Sequence, residues 1–227
     1  METPQDCPYC QAPLYGLGDG MFKCSRCRRK LSPRRHAKIR RLIAAFCDGE
    51  NALACAEGLG YSYVSVHTHF NTFRRLCARI SEEQYETLRH KSCEYEEYFY
   101  LERSKRGQKN AVFDAHNFLT FDYEGHLYTI VMPSLVQFRQ QFIDDNLESV
   151  YAAEFVRFKR QSRLIRISQR YNSIVRFWEY FEQNILRYKG VSRENFPLYL
   201  KEMEFKFNHT PEQQSALLET YYYRMKS

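Results

Sequence analysis

The sequence predicts an α+β protein in which a small cysteine-rich segment and a helical region precede a sheet with flanking helices. Three observations predict this class. Two Cys-x-x-Cys pairs stand near the N-terminus, apolar residues then recur with helical spacing, and the second half holds runs rich in β-branched and aromatic residues. We expect three regions, which cover residues 1–31, 32–91 and 92–227.

The composition is typical of a globular chain, and its charge is unevenly distributed. The chain has 227 residues, 44% of them hydrophobic, and a net charge of +7. It has no long apolar run and no export signal, so we expect a cytoplasmic protein that does not enter a membrane. Residues 21–47 and 157–170 are basic blocks without an acidic side chain. Such blocks favour a polyanionic partner, and a merely solvated surface is the plain alternative.

The two cysteine pairs predict a metal site. Cys7 and Cys10 are separated from Cys24 and Cys27 by 13 residues. Two residues between thiolates let a tight turn direct both sulfurs at one ion, and two such turns complete a structural Zn²⁺ site. Because so short a segment builds little core, the metal would supply about 10 kcal/mol of its folding free energy. We therefore predict a zinc ribbon, with chance spacing or a redox pair as the alternatives.

The second region is predicted to contain three helices. Ser32 is a suitable N-cap and Pro33 suits a first turn. A short second helix is expected to end at Gly58 and Gly60, and a longer third one to begin near Ser62. A short helix, a glycine-containing turn and a helix rich in Ser, Thr, His, Asn and Arg are typical of a DNA-binding helix-turn-helix. A plain three-helix bundle is the alternative.

Candidate DNA contacts follow from this interpretation. Polar side chains near the start of the third helix are expected to reach base edges, and basic side chains to contact phosphates. The predicted DNA-binding residues are Arg26, Arg28, Arg29, Lys30, Arg34, Arg35, Ser62, Ser65, His67, Thr68, His69, Asn71, Arg74, Arg75, Arg157, Lys159, Arg160 and Arg163. The two histidines are two positions apart, so they point to different faces of a helix and do not predict a second metal site.

The third region is predicted to form a mixed sheet flanked by helices. Expected strands cover 93–102, a hairpin within 110–133 that turns at Glu124 and Gly125, 148–155 and 162–168. Expected helices cover 134–147, 172–188 and 193–208. Three strands, a helix, a strand and a helix follow the order of ribonuclease H-like folds, here in a small and truncated form. The Tyr-rich segment 219–227 is expected to be a further strand.

Four segments carry a resemblance to a known family. They read "CPYC…CSRC", "SYVSVHTHFNTFRR", "VYAAEFVRF" and "NSIVRFWEYFEQNILRYKGVSRENFPLYLKEMEFKFN". With Asn172, Ile174, Phe177 and Trp178 in register with the final-helix motif, the chain resembles small bacterial insertion-sequence transposases of the zinc-ribbon, DDE type. The resemblance implies a ribonuclease H-like domain, a structural Zn²⁺ and double-stranded DNA as the partner. It also implies a homodimer as one form of assembly.

The resemblance further implies three catalytic positions, and the chain departs from the family at each. In that family two aspartates and a glutamate hold two divalent metal ions that activate the attacking group and stabilise the leaving oxygen. These positions fall on Tyr95 or Glu96, on Ala153 and on Val175. Alanine and valine offer no oxygen ligand to such an ion. We therefore expect no catalytic residues in this chain.

The expected function is DNA binding without catalysis, in a regulator or a DNA-targeting subunit that has no small-molecule substrate. Two alternatives remain open. A protein-interaction module of a larger complex would use the Tyr-rich segments 94–100 and 219–227 to bind another protein. An active metal-dependent nuclease would need a carboxylate site rebuilt from Glu96, Glu154 and Glu179.

Overall fold

The computed structural model describes residues 5–102, 105, 111–134, 172–188 and 191–225. Within these residues the chain is a mixed α+β protein with six helices and two antiparallel three-stranded sheets, which confirms the predicted class. The chain divides into two compact units. The first comprises Met1–Glu86, Arg187–Lys189 and Lys201–Ser227, and the second comprises Thr87–Leu186 and Gly190–Leu200.

The first unit begins with a small sheet and continues with helices. Its strands are β1 (Leu14–Gly16), β2 (Phe22–Cys24) and β3 (Lys30–Leu31), paired in that order. Its helices are α1 (Pro33–Cys47), α2 (Ala52–Leu59), most of α3 (Tyr63–Leu88), the part of α5 (Phe196–Asn208) from Lys201 onward, and α6 (Pro211–Met225).

Local sequence signals set the start of α1 and both ends of α2. The Ser32 side chain accepts a hydrogen bond from the backbone of Arg35, and Pro33 occupies the first turn of α1. Asn51 caps α2 by accepting a hydrogen bond from the Ala54 N–H at 2.9 Å. Gly60 ends α2 as expected, in the left-handed conformation with φ of 66°, so the chain can turn into α3. Gly58, the other expected end, instead lies inside the helix.

The core of the first unit lies between α1, α3 and the C-terminal helices. The buried α3 residues follow the apolar helical spacing of the sequence and include Val66, Phe70, Phe73, Leu76 and Cys77. They share one cluster with Ile39, Leu42, Ile43 and Phe46 of α1 and with Phe205, Leu218, Tyr222 and Tyr223 of α5 and α6. Each fully buried large side chain in this cluster contributes about 1.5–3 kcal/mol.

The C-terminal segment corrects one prediction. Residues 219–225 are helical within α6, whereas segment 219–227 was expected to form a strand. Gln214, Leu218 and Tyr222 are buried at intervals of four residues, which is the spacing of one helix face. The run of tyrosines has strand-forming composition, but burial of this face on the core decides the conformation.

The second unit contains the other sheet and one complete helix. It comprises β4 (Glu94–Tyr100), a short 3-10 turn (Ala111–Asp114), β5 (His116–Tyr123), β6 (His126–Val131), α4 (Ser173–Ile185) and the start of α5. The expected hairpin turn is confirmed at Glu124 and Gly125, whose φ values are 56° and 95°. The predicted strand is wrong at Ala111–Asp114, where the chain forms the 3-10 turn instead.

Aromatic packing holds α4 and the start of α5 against this sheet. Phe118 of β5 packs on Phe181 of α4, with ring centroids 5.6 Å apart. His116 stacks on Phe196 at a centroid distance of 3.7 Å. Trp178 donates from Nε1 to the Thr120 hydroxyl at 3.0 Å, so the one polar atom of this buried ring has a partner.

Several predictions concern residues that the structure does not describe. The helix expected at 134–147 lies outside the described residues apart from its first position, and so do the strands expected at 148–155 and 162–168. The ribonuclease H-like arrangement depends on these segments and stays a prediction. None of the helices in the described ranges combines the length and the apolar composition that crossing a membrane requires.

Candidate metal centre and basic surface

Four cysteine sulfurs converge in the first unit. The Sγ atoms of Cys7, Cys10, Cys24 and Cys27 all lie within 4.8 Å of one another. Cys7 and Cys27 are 3.7 Å apart, and Cys10 and Cys24 are 3.4 Å apart. A tetrahedral Zn²⁺ with Zn–S bonds of about 2.3 Å needs sulfurs about 3.8 Å apart. The donor set and the spacing therefore fit one four-coordinate metal ion.

The backbone of the second cysteine turn favours a thiolate. The N–H groups of Arg26 and Cys27 each lie 3.4 Å from the Sγ atom of Cys24. Burial raises the pKa of the Cys24 thiol, but these N–H groups and the neighbouring thiols outweigh burial and lower that pKa to about 6. Because the thiolate is the form that binds a metal, this turn favours Cys24 as a metal ligand.

Aromatic contacts join the cysteine cluster to the helices of the first unit. Tyr9, inside the first Cys-x-x-Cys turn, packs edge-on against Tyr223 of α6 with ring centroids 5.0 Å apart. The Arg29 guanidinium lies 4.8 Å from the Tyr9 ring. The Tyr223 hydroxyl in turn lies 2.7 Å from Nδ1 of His36 on α1. Tyr9, Tyr223 and His36 thus form a contact chain that links the first Cys-x-x-Cys turn to α6 and α1.

A basic groove runs along α1. This α1 groove is open, has a volume of about 500 Å³, and is lined by Ser32, Arg34, Arg35, Ala37, Lys38, Arg41 and Tyr61. In the part of the chain that the structure describes, Arg34, Arg35 and Arg41 form no ion pair. The Lys38 ammonium lies 4.6 Å from the Tyr61 ring and donates to the Ser65 hydroxyl at 3.0 Å. Four cations therefore line one groove, and none of the described residues in its lining carries a carboxylate.

Most of the predicted DNA contacts lie on the first unit. The exposed ones are Arg26, Arg28, Lys30, Arg34, Arg35, Ser62, Thr68 and Arg75. The half-buried ones are Arg29, Ser65, His67, His69 and Asn71. Arg157, Lys159, Arg160 and Arg163 lie outside the described residues. The α1 groove brings together only two of the predicted residues, Arg34 and Arg35.

The sequence prediction did not select two of the four basic residues of the α1 groove, nor its one aromatic residue. Lys38 and Arg41 belong to the basic block 21–47 but were not selected as contacts, and Tyr61 precedes the third helix. The signal was present, because positions 34, 38 and 41 are four and three residues apart and so share a helix face.

Arg74 requires a correction, because it does not face solvent. Its side chain is 5% exposed, and Nε donates to Oε2 of Glu202 at 2.8 Å. Its Nη1 donates to the Asn71 side chain at 3.0 Å, so the Asn71 oxygen is engaged as well. His69 also turns inward, since Nδ1 lies 2.8 Å from the Ser65 carbonyl and the ring stacks on Tyr222. Arg74 is therefore a core residue and not a phosphate contact.

Two of the three expected carboxylate positions are described, and both lie near the start of α4. Glu96 pairs with Thr120 across the sheet, and Thr120 accepts from Trp178, so Glu96 lies on the α4 side. The Glu96 carboxylate accepts a hydrogen bond at 3.5 Å from Asn172, the N-cap of α4. Tyr95 lies on the opposite face and is 64% exposed. Of the two candidates for the first position, only Glu96 faces α4.

Val175 occupies the third expected position, in the first turn of α4. Its side chain is 5% exposed, and its N–H donates to the Asn172 side chain at 3.0 Å. Within the described ranges, the cysteine cluster is the only group of three or more potential ligands at metal-binding distance. Glu96 and Glu179 therefore do not form such a group with a third described acid, while Ala153 and Glu154 lie outside the described residues.

Part of the chain is similar to a known protein. A stretch of 39 residues is 38% identical to an uncharacterized transposase-like protein from Haemophilus influenzae. The match covers 17% of this chain and 32% of that protein. No protein-family profile and no solved structure matches the chain. The similarity is local, and it agrees with the resemblance to transposases over part of the sequence.

Proposed function

We propose that the chain is a transposase-derived DNA-binding protein whose first unit contacts duplex DNA through the α1 groove and α3. The observation that carries this proposal is the groove itself, whose lining, as far as the structure describes it, holds four basic side chains and no acidic one. A protein cation that neutralises a phosphate releases a condensed counterion, which drives association. The local similarity to a transposase-like protein supports the same class of ligand.

The order of elements supports a helix-turn-helix reading of this surface. The short helix α2 ends at the left-handed Gly60, and α3 begins three residues later. In such motifs the N-terminal residues of the second helix contact base edges in the major groove. We assign this role to the start of α3, with the exposed Ser62 and Thr68 and the half-buried His67 among the contacts. Arg75, exposed further along α3, would contact a phosphate.

A structural Zn²⁺ belongs to the same proposal. Cys7, Cys10, Cys24 and Cys27 would hold it in a closed site, which leaves no position for a water or a substrate. The ion would then hold the two cysteine turns together and would take no part in a reaction on DNA. Arg26, Arg28 and Lys30, which are exposed beside the second turn, would add phosphate contacts.

We also propose that the second unit does not cleave DNA. A buried Val175 at the third expected position and the pairing of Glu96 with Asn172 support this. A sensitive test is incubation of the zinc-loaded protein with duplex DNA and Mn²⁺, followed by a denaturing gel. We expect no cleavage. Cleavage that disappears in Glu96→Ala would overturn this proposal and identify a rebuilt metal site.

The DNA-binding proposal is tested by titrating labelled duplex with the protein at several salt concentrations. The informative variant is the double substitution Arg34→Gln and Arg35→Gln in the α1 groove. The control is Lys91→Gln with Arg224→Gln, which removes the same charge from two exposed residues outside the groove. The slope of log K against log salt is negative, and each lost phosphate contact should make it less negative by about 0.9.

We expect the groove variant to bind DNA at least tenfold more weakly at low salt, with a slope that is less negative by about 2, and the control to change little. Equal losses in both variants would mean that net charge alone attracts DNA. In that case the α1 groove would not be the binding surface. If the wild-type protein does not bind duplex DNA even at low salt, the proposed function as a whole is excluded.

A further inference from the structure

The start of α3 exposes apolar groups on a helix that is otherwise polar on its outer side. Val64 is 72% exposed, the largest value among the exposed large hydrophobic residues of the described chain. Tyr63 beside it is 49% exposed, and its ring stacks on His67 with centroids 5.5 Å apart. The stacking orders the Tyr63 ring, so the first turn of α3 presents a defined surface.

Thr68 extends this surface by one turn. It follows Val64 by four residues, and its hydroxyl donates to the Val64 carbonyl at 2.8 Å. Because the hydroxyl proton is engaged with the backbone, Thr68 offers solvent a methyl group and an oxygen lone pair. Val64 and Thr68 therefore form a pair of methyl-bearing side chains on one exposed face of the helix.

The surroundings of this pair carry positive charge. Arg75 lies on the same side of α3, seven residues beyond Thr68, and is exposed. The α1 groove adjoins the start of α3, because Lys38 bonds to Ser65 and Tyr61 belongs to the groove lining. An apolar spot between basic groups complements the major groove of DNA, where thymine methyl groups project between two phosphate backbones.

We propose that Val64 and Thr68 read thymine methyl groups in the major groove, which makes Val64 a specificity-determining residue. This inference rests on the proposed DNA binding and adds the chemistry of the base that is recognised. The phosphate contacts of the α1 groove carry no sequence information, whereas an apolar contact with the C5 methyl distinguishes thymine from every other unmodified DNA base. The preferred sites should therefore contain thymine at one or two fixed positions.

The test replaces thymine by deoxyuridine, which pairs identically and lacks only the methyl group. A preferred duplex is first selected from a random pool with the wild-type protein. Each thymine in it is then exchanged singly for deoxyuridine, and the dissociation constants are compared. Burial of one methyl group contributes about 0.8 kcal/mol, so we expect about a fourfold loss at one or two thymines.

The decisive comparison uses Val64→Ala. The substitution is on an exposed site and replaces valine by a better helix former, so the fold should be retained. At the thymine read by Val64, the fourfold difference between thymine and uracil should disappear in this variant. Leu53→Ala is the matched control, because Leu53 is a 56% exposed apolar residue on α2. We expect that control to keep the difference.

The outcomes separate this inference from the proposed function. Salt-dependent DNA binding with no uracil effect at any position would overturn methyl recognition and leave the DNA-binding proposal standing. A uracil effect that persists in Val64→Ala would show that another residue reads the methyl group. Absence of duplex binding at low salt would overturn both.

Discussion

At the scale of single residues, buried charged side chains in the first unit have a large effect on protein stability. The Glu202 carboxylate is 1% exposed and accepts hydrogen bonds from Arg74 at 2.8 Å, Lys206 at 2.7 Å and the Tyr188 hydroxyl at 2.7 Å. Burial raises the pKa of Glu202, but the charges of Lys206 and Arg74 outweigh it, and the net pKa is lowered. Each member of this network is stable in the interior only while the others remain.

Removal of Arg74 should therefore destabilise the protein strongly. We expect Arg74→Met to lower the free energy of unfolding by about 3–5 kcal/mol, since Glu202 loses a partner that it cannot replace with water. Arg79→Met is the control five residues along α3, because Arg79 is 54% exposed in its pair with Glu83. That change should cost less than about 1 kcal/mol. Urea unfolding measures both, and similar costs would contradict the structural role of Arg74.

His116 predicts a pH dependence in the second unit. Burial, together with the charges of Arg193 and Lys105, lowers its pKa to about 4, although the charge of Asp114 opposes this shift. The folded state thus binds the proton more weakly than the unfolded chain, where the pKa is about 6.5. The stability contributed by neutral His116 is complete above pH 6.5 and is lost as the pH falls toward 4.

The comparison of wild type with His116→Phe isolates this effect. Phenylalanine keeps the stacking on Phe196 and cannot be protonated. Urea unfolding at pH 7 and pH 5 should show that the wild type loses more stability than the variant over this interval. A constant difference between the two proteins at both pH values would mean that His116 is not held neutral by the fold.

At the scale of elements, the sequence predicted those features of the helices that depend on residues close together in the chain. Ser32 was predicted to begin α1 and Gly60 to end α2, where capping and left-handed backbone favour such residues. The inward face of α3 followed from its period. The helical state of 219–225 did not, because tyrosine has strand propensity and the burial of Tyr222 depends on Phe73, about 150 positions earlier. Tertiary packing overrode local preference there.

Alanine substitutions at the two glycines near the end of α2 should change the stability of the protein in opposite directions. Gly60 has φ of 66° at the end of the helix, so Gly60→Ala should cost about 1 kcal/mol of backbone strain. Gly58 lies inside the helix, and a methyl group there would meet open space. Gly58→Ala should stabilise the protein by about 0.4–1 kcal/mol. Thermal unfolding gives both signs, and a stabilising Gly60→Ala would contradict the left-handed end of α2.

At the scale of the whole molecule, the candidate sites differ in how far the sequence revealed them. The cysteine ligands were predictable, because the spacing within each pair is a local property. The α1 groove was predicted only in part, since it combines a helix face with Tyr61 from a separate turn. The interior position of Arg74 was not predictable, because its partner Glu202 stands 128 residues away and pairing depends on the tertiary fold.

The contact chain from Tyr9 through Tyr223 to His36 predicts that loss of metal affects distant helices of the first unit. Cys24→Ser should abolish the binding of one Zn²⁺, measured as metal content after gel filtration. Once the turn around Tyr9 loosens, Tyr223 loses its edge-on partner, so amide hydrogens of α6 should exchange faster. Cys93→Ser is the control, since Cys93 is exposed and lies outside the cluster. Unchanged exchange in α6 after zinc loss would show that the cysteine turns fold independently of the helices.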